Sequence, residues 1–160
     1  MSEHEYDLVV VGAGPAGSSA AYVAAKNGIK VALLEKEETV AQTVRTSGVT
    51  WIDYAKEFGI PEDCYNPIRT YNFCSPKNQV SISDEQAKAA VLDVRKTYRF
   101  LAEQAKKNGA EIFVNTNVTE VITKDGKIVG VKATSSNQEM TFRAKVVIDC
   151  LLYTSDAADE

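Results

Sequence analysis

Near the start of the chain, an apolar run at residues 7–11 meets Gly12-Ala13-Gly14-Pro15-Ala16-Gly17. An alanine-rich stretch follows, then Gly28, then a second apolar run at 31–34 that ends at Glu35. The spacing predicts a strand, a tight turn, a helix over 15–27 and a second strand parallel to the first. Gly12 permits the sharp exit from the strand, Gly14 lets the backbone come close to a pyrophosphate, and Gly17 lets the helix pack closely against the sheet. The phosphates then sit at the helix N-terminus, where free N–H groups and the positive end of the dipole favour an anion. Pro15 lies in the first turn, where a missing N–H costs nothing. Glu35, followed by Lys36, is placed about 18–20 residues past the glycines, where a carboxylate accepts hydrogen bonds from a ribose 2′-OH and repels a 2′-phosphate. A glycine-rich loop alone is equally a ligand-free turn. With both strands, the helix and the acid in place, the prediction is a dinucleotide-binding unit.

Residues 36–69 read as loop-rich, with a short helix at 51–58 stopped by Gly59 and Pro61. Trp51 and Tyr54 are expected to pack in the core of that helix rather than to face a lipid or a ring. Residues 71–74 and 79–83 are predicted to pair as strands around the turn Ser75-Pro76-Lys77-Asn78. Another short strand is expected at 91–94, with Asp93 as N-cap of a helix over 95–107. The buried stripe of that helix is Tyr98, Leu101, Ala102 and Ala105, and Gly109 is its stop. Residues 111–115 form a third parallel strand. A meander of 118–123, an Asp125-Gly126 turn, 128–134 and 140–144 follows, and 146–148 returns to the parallel sheet.

Composition narrows the class. The chain is 44% hydrophobic and 25% charged with a net charge of −4, ordinary for a globular domain and without the basic footprint of a nucleic-acid binder. No apolar run approaches the ~18 residues of a membrane-spanning helix, and no basic-then-apolar leader is present. Cys64 and Cys74 lack metal-ligand spacing and read as free thiols of a cytoplasmic protein. His4, alone in a polar leader, is expected to have no metal or catalytic role.

The stretch YDLVVVGAGPAGSSAAYVAAKNGIKVALLEK resembles the N-terminal motif of FAD-binding flavoproteins more than that of NAD dehydrogenases. VRTSGVTWIDYAKEFGIP and VLDVRKTYRFLAEQAKKNGAEI are similar to segments of the geranylgeranyl reductase family, within the para-hydroxybenzoate hydroxylase-like flavoproteins. The resemblance covers nearly all of residues 5–149. It implies FAD as cofactor, and an α/β fold: a Rossmann-like FAD-binding domain with a parallel sheet, a β-meander crossover and the start of a second β-rich region. The domain is expected over 1–149, with a loop and strand insertion at about 60–92. From the residues alone Arg45 and Arg95 read as surface arginines in solvated ion pairs; the same resemblance implies that they lie near the flavin, where a guanidinium either pairs with pyrophosphate or holds a phosphate-proximal loop. Family members often carry a cysteine after the position of Arg45; Arg45-Thr46-Ser47-Gly48 has none, so the resemblance gives no support to a thiol-dependent step here.

Three functions stay open on this reading. One is a reductase that saturates isoprenoid C=C bonds with reduced flavin, on an apolar substrate that favours peripheral membrane contact. The second is a flavin monooxygenase, and the third, for the chain by itself, is a nucleotide-binding module without turnover. No residue earns a catalytic acid–base assignment, because redox chemistry belongs to the flavin. Residues 150–160, CLLYTSDAADE, match the translation of a transposase-type sequencing-library adapter and are expected to form an unpacked tail after a truncated domain.

Overall fold

In the computed structural model, which describes residues 2–151, the chain runs β1 (Ser2–Val11), α1 (Pro15–Lys26), β2 (Val31–Leu34), β3 (Val49–Trp51), α2 (Ile52–Glu57), a 3₁₀ turn (Glu62–Cys64), β4 (Tyr65–Ile68), β5 (Thr70–Cys74), β6 (Gln79–Ser83), β7 (Ala89–Leu92), α3 (Val94–Lys107), β8 (Glu111–Phe113), β9 (Asn117–Lys124), β10 (Lys127–Ser135) and β11 (Gln138–Asp149). It divides into two units, one comprising the residues up to Thr43 and from Tyr98 onward, the other Val44–Thr97.

The first unit is built on a six-stranded sheet in the order β8-β2-β1-β11-β10-β9. β1 pairs in parallel with both β2 and β11, and β2 in parallel with β8, as the sequence predicts. Residues 8–11 and 31–34 are buried without alternation, the pattern of strands covered on both faces. Alternate residues divide between two clusters. Leu8, Val10, Val31 and Leu33 join Ala21 and Ala25 of α1 and Ala105 of α3, whereas Val9, Val11, Ala32 and Leu34 join Val131, Ala133 and Phe142 of the meander.

Two strands differ from expectation. β1 begins at Ser2 rather than at residue 7, because its polar first half pairs with residues 140–144, from Ser2 against Met140 to Tyr6 against Ala144. The segments expected separately at 140–144 and 146–148 are one strand, β11. Its first half pairs antiparallel with β10, and no turn residue interrupts its parallel ladder with β1. The turn at Asp125-Gly126 is as predicted, with φ of 52° and 72°. Ser136 and Asn137, at φ 47° and 64°, make a second such turn without a glycine to announce it. His4 is not in a leader but on β1, stacked on Phe142 with ring centroids 5.0 Å apart.

Tyr6 is buried, and its hydroxyl donates to Glu111 Oε2 at 2.8 Å. Burial first, then the Glu111 carboxylate, raise the Tyr6 phenol well above its ordinary value. The folded protein therefore keeps this proton at a pH where the unfolded chain has lost it. The stabilisation is complete below pH about 10 and declines as pH rises beyond it. Tyr6→Phe is expected to make that alkaline decline shallower, read as urea midpoints from pH about 8 to about 11; equal slopes in parent and variant would refute the assignment.

The second unit holds an antiparallel sheet in the order β3-β7-β4 and the separate β5-β6 hairpin. The stretch at 60–92 falls inside it. Its core is Ile52, Ala55, Tyr65 and Ala90. Trp51 and Tyr54 do not pack there. They are 58% and 54% exposed, because α2 turns Ile52 and Ala55 inward and leaves positions 51, 54 and 58 on another face. β7 ends at Leu92, two residues earlier than expected, since Asp93 already caps α3: its Oδ1 accepts from Lys96 N–H at 3.0 Å. Cys64 is buried and Cys74 exposed, both as free thiols.

At the other end of the sheet, the parallel ladder runs one residue past β11, with Cys150 N–H donating to Val11 C=O at 2.9 Å. Cys150 is half-buried against the helix-covered cluster, whereas Leu151 is 40% exposed. Residues 152–160 lie outside the described residues. β10 pairs with β11 only as far as Arg143, so among the described residues no strand occupies the second edge of residues 145–149.

Candidate functional site: a loop and helix start for a dinucleotide

The three glycines of the loop are glycine for three different reasons. Gly12, at φ +94°, stands in a conformation that side chains disfavour, and its N–H donates to Leu34 C=O at 2.8 Å, tying the exit of β1 to the end of β2. Gly17 lies against the loop's own backbone, where a Cβ would overlap the Gly12 carbonyl oxygen and meet Val10 Cγ1 at 3.3 Å. Gly14 needs neither allowance. Its φ of −69° and ψ of −176° suit any residue, and a Cβ there would meet nothing within 4 Å. No steric or conformational demand of the folded chain requires glycine here beyond its suitability as an N-cap, and without a Cβ the backbone is open to an approaching ligand.

Gly14 is also the N-cap of α1, with no side-chain cap and no acidic residue in the first turn. Its carbonyl takes the first helical bond, from Ser18 N–H at 2.9 Å. Pro15 has no N–H, so the donors of the first turn that lack a helical acceptor include Ala16 and Gly17. An uncapped helix start beside an open glycine fits a phosphate group and its negative charge.

Glu35 completes the arrangement. Its Oε2 accepts from Ala13 N–H at 3.0 Å, inside the loop, and its Oε1 accepts from Glu37 N–H at 3.0 Å. The carboxylate is half-buried at the end of β2, and each oxygen retains acceptor capacity. The backbone on either side is fixed as well: Thr116 N–H donates to Glu35 C=O at 2.8 Å and Asn115 N–H to Glu37 C=O at 2.7 Å. A diol is held well by such a group, and a second phosphate is repelled.

Of the residues singled out in the sequence, the structure gathers Gly12, Gly14, Pro15, Ala16, Gly17 and Glu35 at one end of the sheet. Lys36 is exposed next to Glu35. Arg45 and Arg95 belong to the second unit, both exposed, the latter in the first turn of α3. Sequence reasoning missed three supports of the loop: the Ala13 N–H on Glu35, the buried Ser18 hydroxyl donating to Ala13 C=O at 3.2 Å, and the 115–116 backbone on 35–37. Only Ser18, a polar residue in an otherwise alanine-rich helix, left a signal.

The sequence profile of the FAD-dependent oxidoreductases matches residues 7–157. The chain belongs to this family. Within the FAD-dependent oxidoreductases it is geranylgeranyl reductase-like. It is 37% identical over 150 residues to a digeranylgeranylglycerophospholipid reductase of Methanocella arvoryzae, covering 90% of this chain and 38% of that protein. It is 35% identical over 147 residues to the reductase of the same name from Methanocaldococcus jannaschii, covering 89% of this chain and 37% of the relative. A solved geranylgeranyl bacteriochlorophyll reductase-like protein from Thermoplasma acidophilum superposes with a TM-score of 0.83 at 31% identity, over 92% of this chain and 39% of that one. The chain thus spans under two-fifths of the length of these curated relatives. The cofactor of an FAD-dependent oxidoreductase is FAD, and the open Gly14, the uncapped helix start and the Glu35 carboxylate fit its adenosine diphosphate half.

Proposed function

We propose that this chain supplies the adenosine diphosphate grip of a flavoenzyme that saturates C=C bonds of isoprenoid chains. The observation that carries the cofactor half is Gly14, whose backbone is open on the side where a Cβ would stand, set at a helix start with no side-chain cap. Gly12, Gly14, Ala16 and Gly17 present backbone to the pyrophosphate, Pro15 leaves the first turn open, and Glu35 takes the ribose hydroxyls. Lys36, Arg45 and Arg95 are proposed as further cofactor-binding residues. Bound flavin supplies the redox chemistry; the protein orients it and excludes competing reactions. The substrate half rests on the names of the relatives, at 37% and 35% identity. An isoprenoid lipid substrate would bring the protein to a lipid surface. Among the described residues no helix is long and apolar enough to cross a membrane.

Two measurements test this. The 160-residue chain is titrated with FAD, with ADP and with 2′-phosphorylated ADP, and is expected to bind the first two and discriminate against the third. Absence of FAD binding overturns the cofactor reading. A protein that continues this chain to the length of its relatives, with its flavin reduced, is expected to add a hydrogen pair to each double bond of a geranylgeranyl-bearing lipid, read by mass spectrometry. Oxygen incorporation into the substrate instead would replace the reductase with a monooxygenase.

A further inference from the structure

The β5-β6 hairpin of the second unit has two unlike faces. Its register sets Tyr71 opposite Ile82 and Phe73 opposite Val80, so these four side chains share one face. Thr70 with Ser83, Asn72 with Ser81 and Cys74 with Gln79 share the other. The polar face is bonded across the strands: the Thr70 and Ser83 hydroxyls lie 3.1 Å apart, and Ser81 Oγ donates to Asn72 Oδ1 at 2.6 Å. The turn is closed by Ser75 N–H on Asn78 C=O at 2.8 Å, and the base by Asp84 N–H on Arg69 C=O at 2.9 Å. The apolar face is left largely to solvent. Phe73, Val80 and Ile82 are 61%, 57% and 51% exposed, Tyr71 is half-buried, and none of the four joins a buried cluster among the described residues.

Two strands by themselves are marginal in water, and a contiguous apolar face on them gains from being covered. The charge around that face indicates what covers it. Residues 64–83 contain Arg69 at the base and Lys77 in the turn, both exposed, and no Asp or Glu. Elsewhere the balance is the reverse, since the whole chain holds 22 acidic residues against 18 basic ones. A second copy docked face to face would set the same cations against each other, because a two-fold contact uses one patch twice. This stretch offers no carboxylate to pair with them. An anionic lipid surface supplies both halves of the match: headgroup phosphates for the two cations and acyl chains for the apolar face. Aromatic side chains such as Tyr71 favour the boundary between the two.

We propose that the β5-β6 hairpin is a docking surface for an anionic bilayer: Tyr71, Phe73, Val80 and Ile82 enter the boundary between headgroups and acyl chains while Arg69 and Lys77 meet lipid phosphates. The proposal deepens the lipid-substrate reading above, from which it takes the choice of a lipid; the geometry and charge of the hairpin are independent of that reading. The bonded polar face stays in water, so binding asks no rearrangement of the ladder and orders little that is not already ordered. Attraction of this kind sums an apolar part and a charge part, and the second weakens with salt.

The test is cosedimentation of the 160-residue chain with phosphatidylglycerol vesicles, with phosphatidylcholine vesicles as the uncharged comparison. The parent is expected to bind the anionic vesicles at least about tenfold better and to lose that margin as salt rises. Phe73→Thr combined with Val80→Thr keeps strand-forming residues and should weaken binding to anionic vesicles at least about tenfold, the effect of leaving side chains of that size in water. If that variant does not fold, Lys77→Glu in the exposed turn carries the test, and should narrow the anionic preference several-fold. A parent that binds no vesicle overturns the proposal, as does binding that ignores vesicle charge or survives these changes. Self-association abolished by the Phe73 and Val80 changes, without vesicle binding, gives the face to a second copy instead. A protein continued to the length of its relatives that binds no vesicle, while this chain does, gives the face to the added sequence and equally overturns the proposal. Hairpin-dependent vesicle binding by a continued protein that adds no hydrogen to a geranylgeranyl-bearing lipid keeps the docking surface and removes the substrate reading. Hydrogen addition without hairpin-dependent binding removes this inference alone.

Discussion

Gly14→Ala and Gly17→Ala are expected to fail in opposite ways. At Gly17 the new methyl overlaps the Gly12 carbonyl oxygen and crowds Val10 Cγ1 at 3.3 Å, at the point where α1 lies closest to the loop. Gly12 is itself tied to Leu34, so the overlap resolves only by moving the helix start or the end of β1. The expected loss of stability is about 3 kcal/mol, the upper part of the range for overpacking. At Gly14 the methyl enters open space at an ordinary backbone conformation, so stability should change by no more than about 1 kcal/mol, the scale of an N-cap substitution. Its cost appears when a phosphate approaches: FAD affinity should fall at least about tenfold, or 1.4 kcal/mol. Urea midpoints and flavin titrations of the two variants check both statements. A Gly14→Ala chain that keeps its affinity would mean that nothing approaches that backbone.

Glu35→Ala should weaken FAD binding by about 1–3 kcal/mol, the range for hydrogen bonds to a charged group. Two effects combine. The ribose loses its acceptor, and the Ala13 N–H, in a residue 1% exposed, loses the oxygen 3.0 Å away that fixes the loop. The variant also removes the charge that disfavours a second phosphate, so the preference for ADP over its 2′-phosphorylated form should narrow in the same preparation. Retained affinity together with retained preference would leave the carboxylate as a brace for the loop and nothing more. Glu35→Gln is the control, since an amide oxygen can still accept from Ala13 while the charge is gone.

Legibility followed the reach of the signal. The βαβ unit was readable because its apolar runs, three glycines and closing acid lie within one local segment, and at Gly12 and Gly17 a side chain carries a conformational or steric cost. The first half of β1 was not readable. Residues 2–6 are mostly polar, and they form a strand only because residues 140–144 arrive beside them. The same cause hid the continuity of β11, whose two halves have different second neighbours and so different burial. Trp51 and Tyr54 misled for another reason: hydrophobicity names residues that gain from burial, but the phase of a six-residue helix decided which were buried, and Ile52 and Ala55 took those places. At the site, the glycines and Glu35 were legible. The bond from Ala13 N–H to Glu35 was not, since a backbone N–H has no letter in the sequence.

The two neighbours of β1 also differ in when they exist. Val11 pairs with Leu34 on one side and with Asp149 on the other. During synthesis the glycine loop, α1 and β2 leave the ribosome together, while the second edge of β1 waits for almost the whole described chain. Cys150, whose carbonyl lies 3.3 Å from where a Gly12 Cβ would be, follows directly after β11. Pairings between distant residues are the slow ones, because the intervening chain must be closed before any contact rewards it. Until residues 140–149 arrive, the nascent chain therefore carries the phosphate loop with one flank of β1 open, and the half-paired β1 is the edge that a chaperone, or another nascent chain, meets before then.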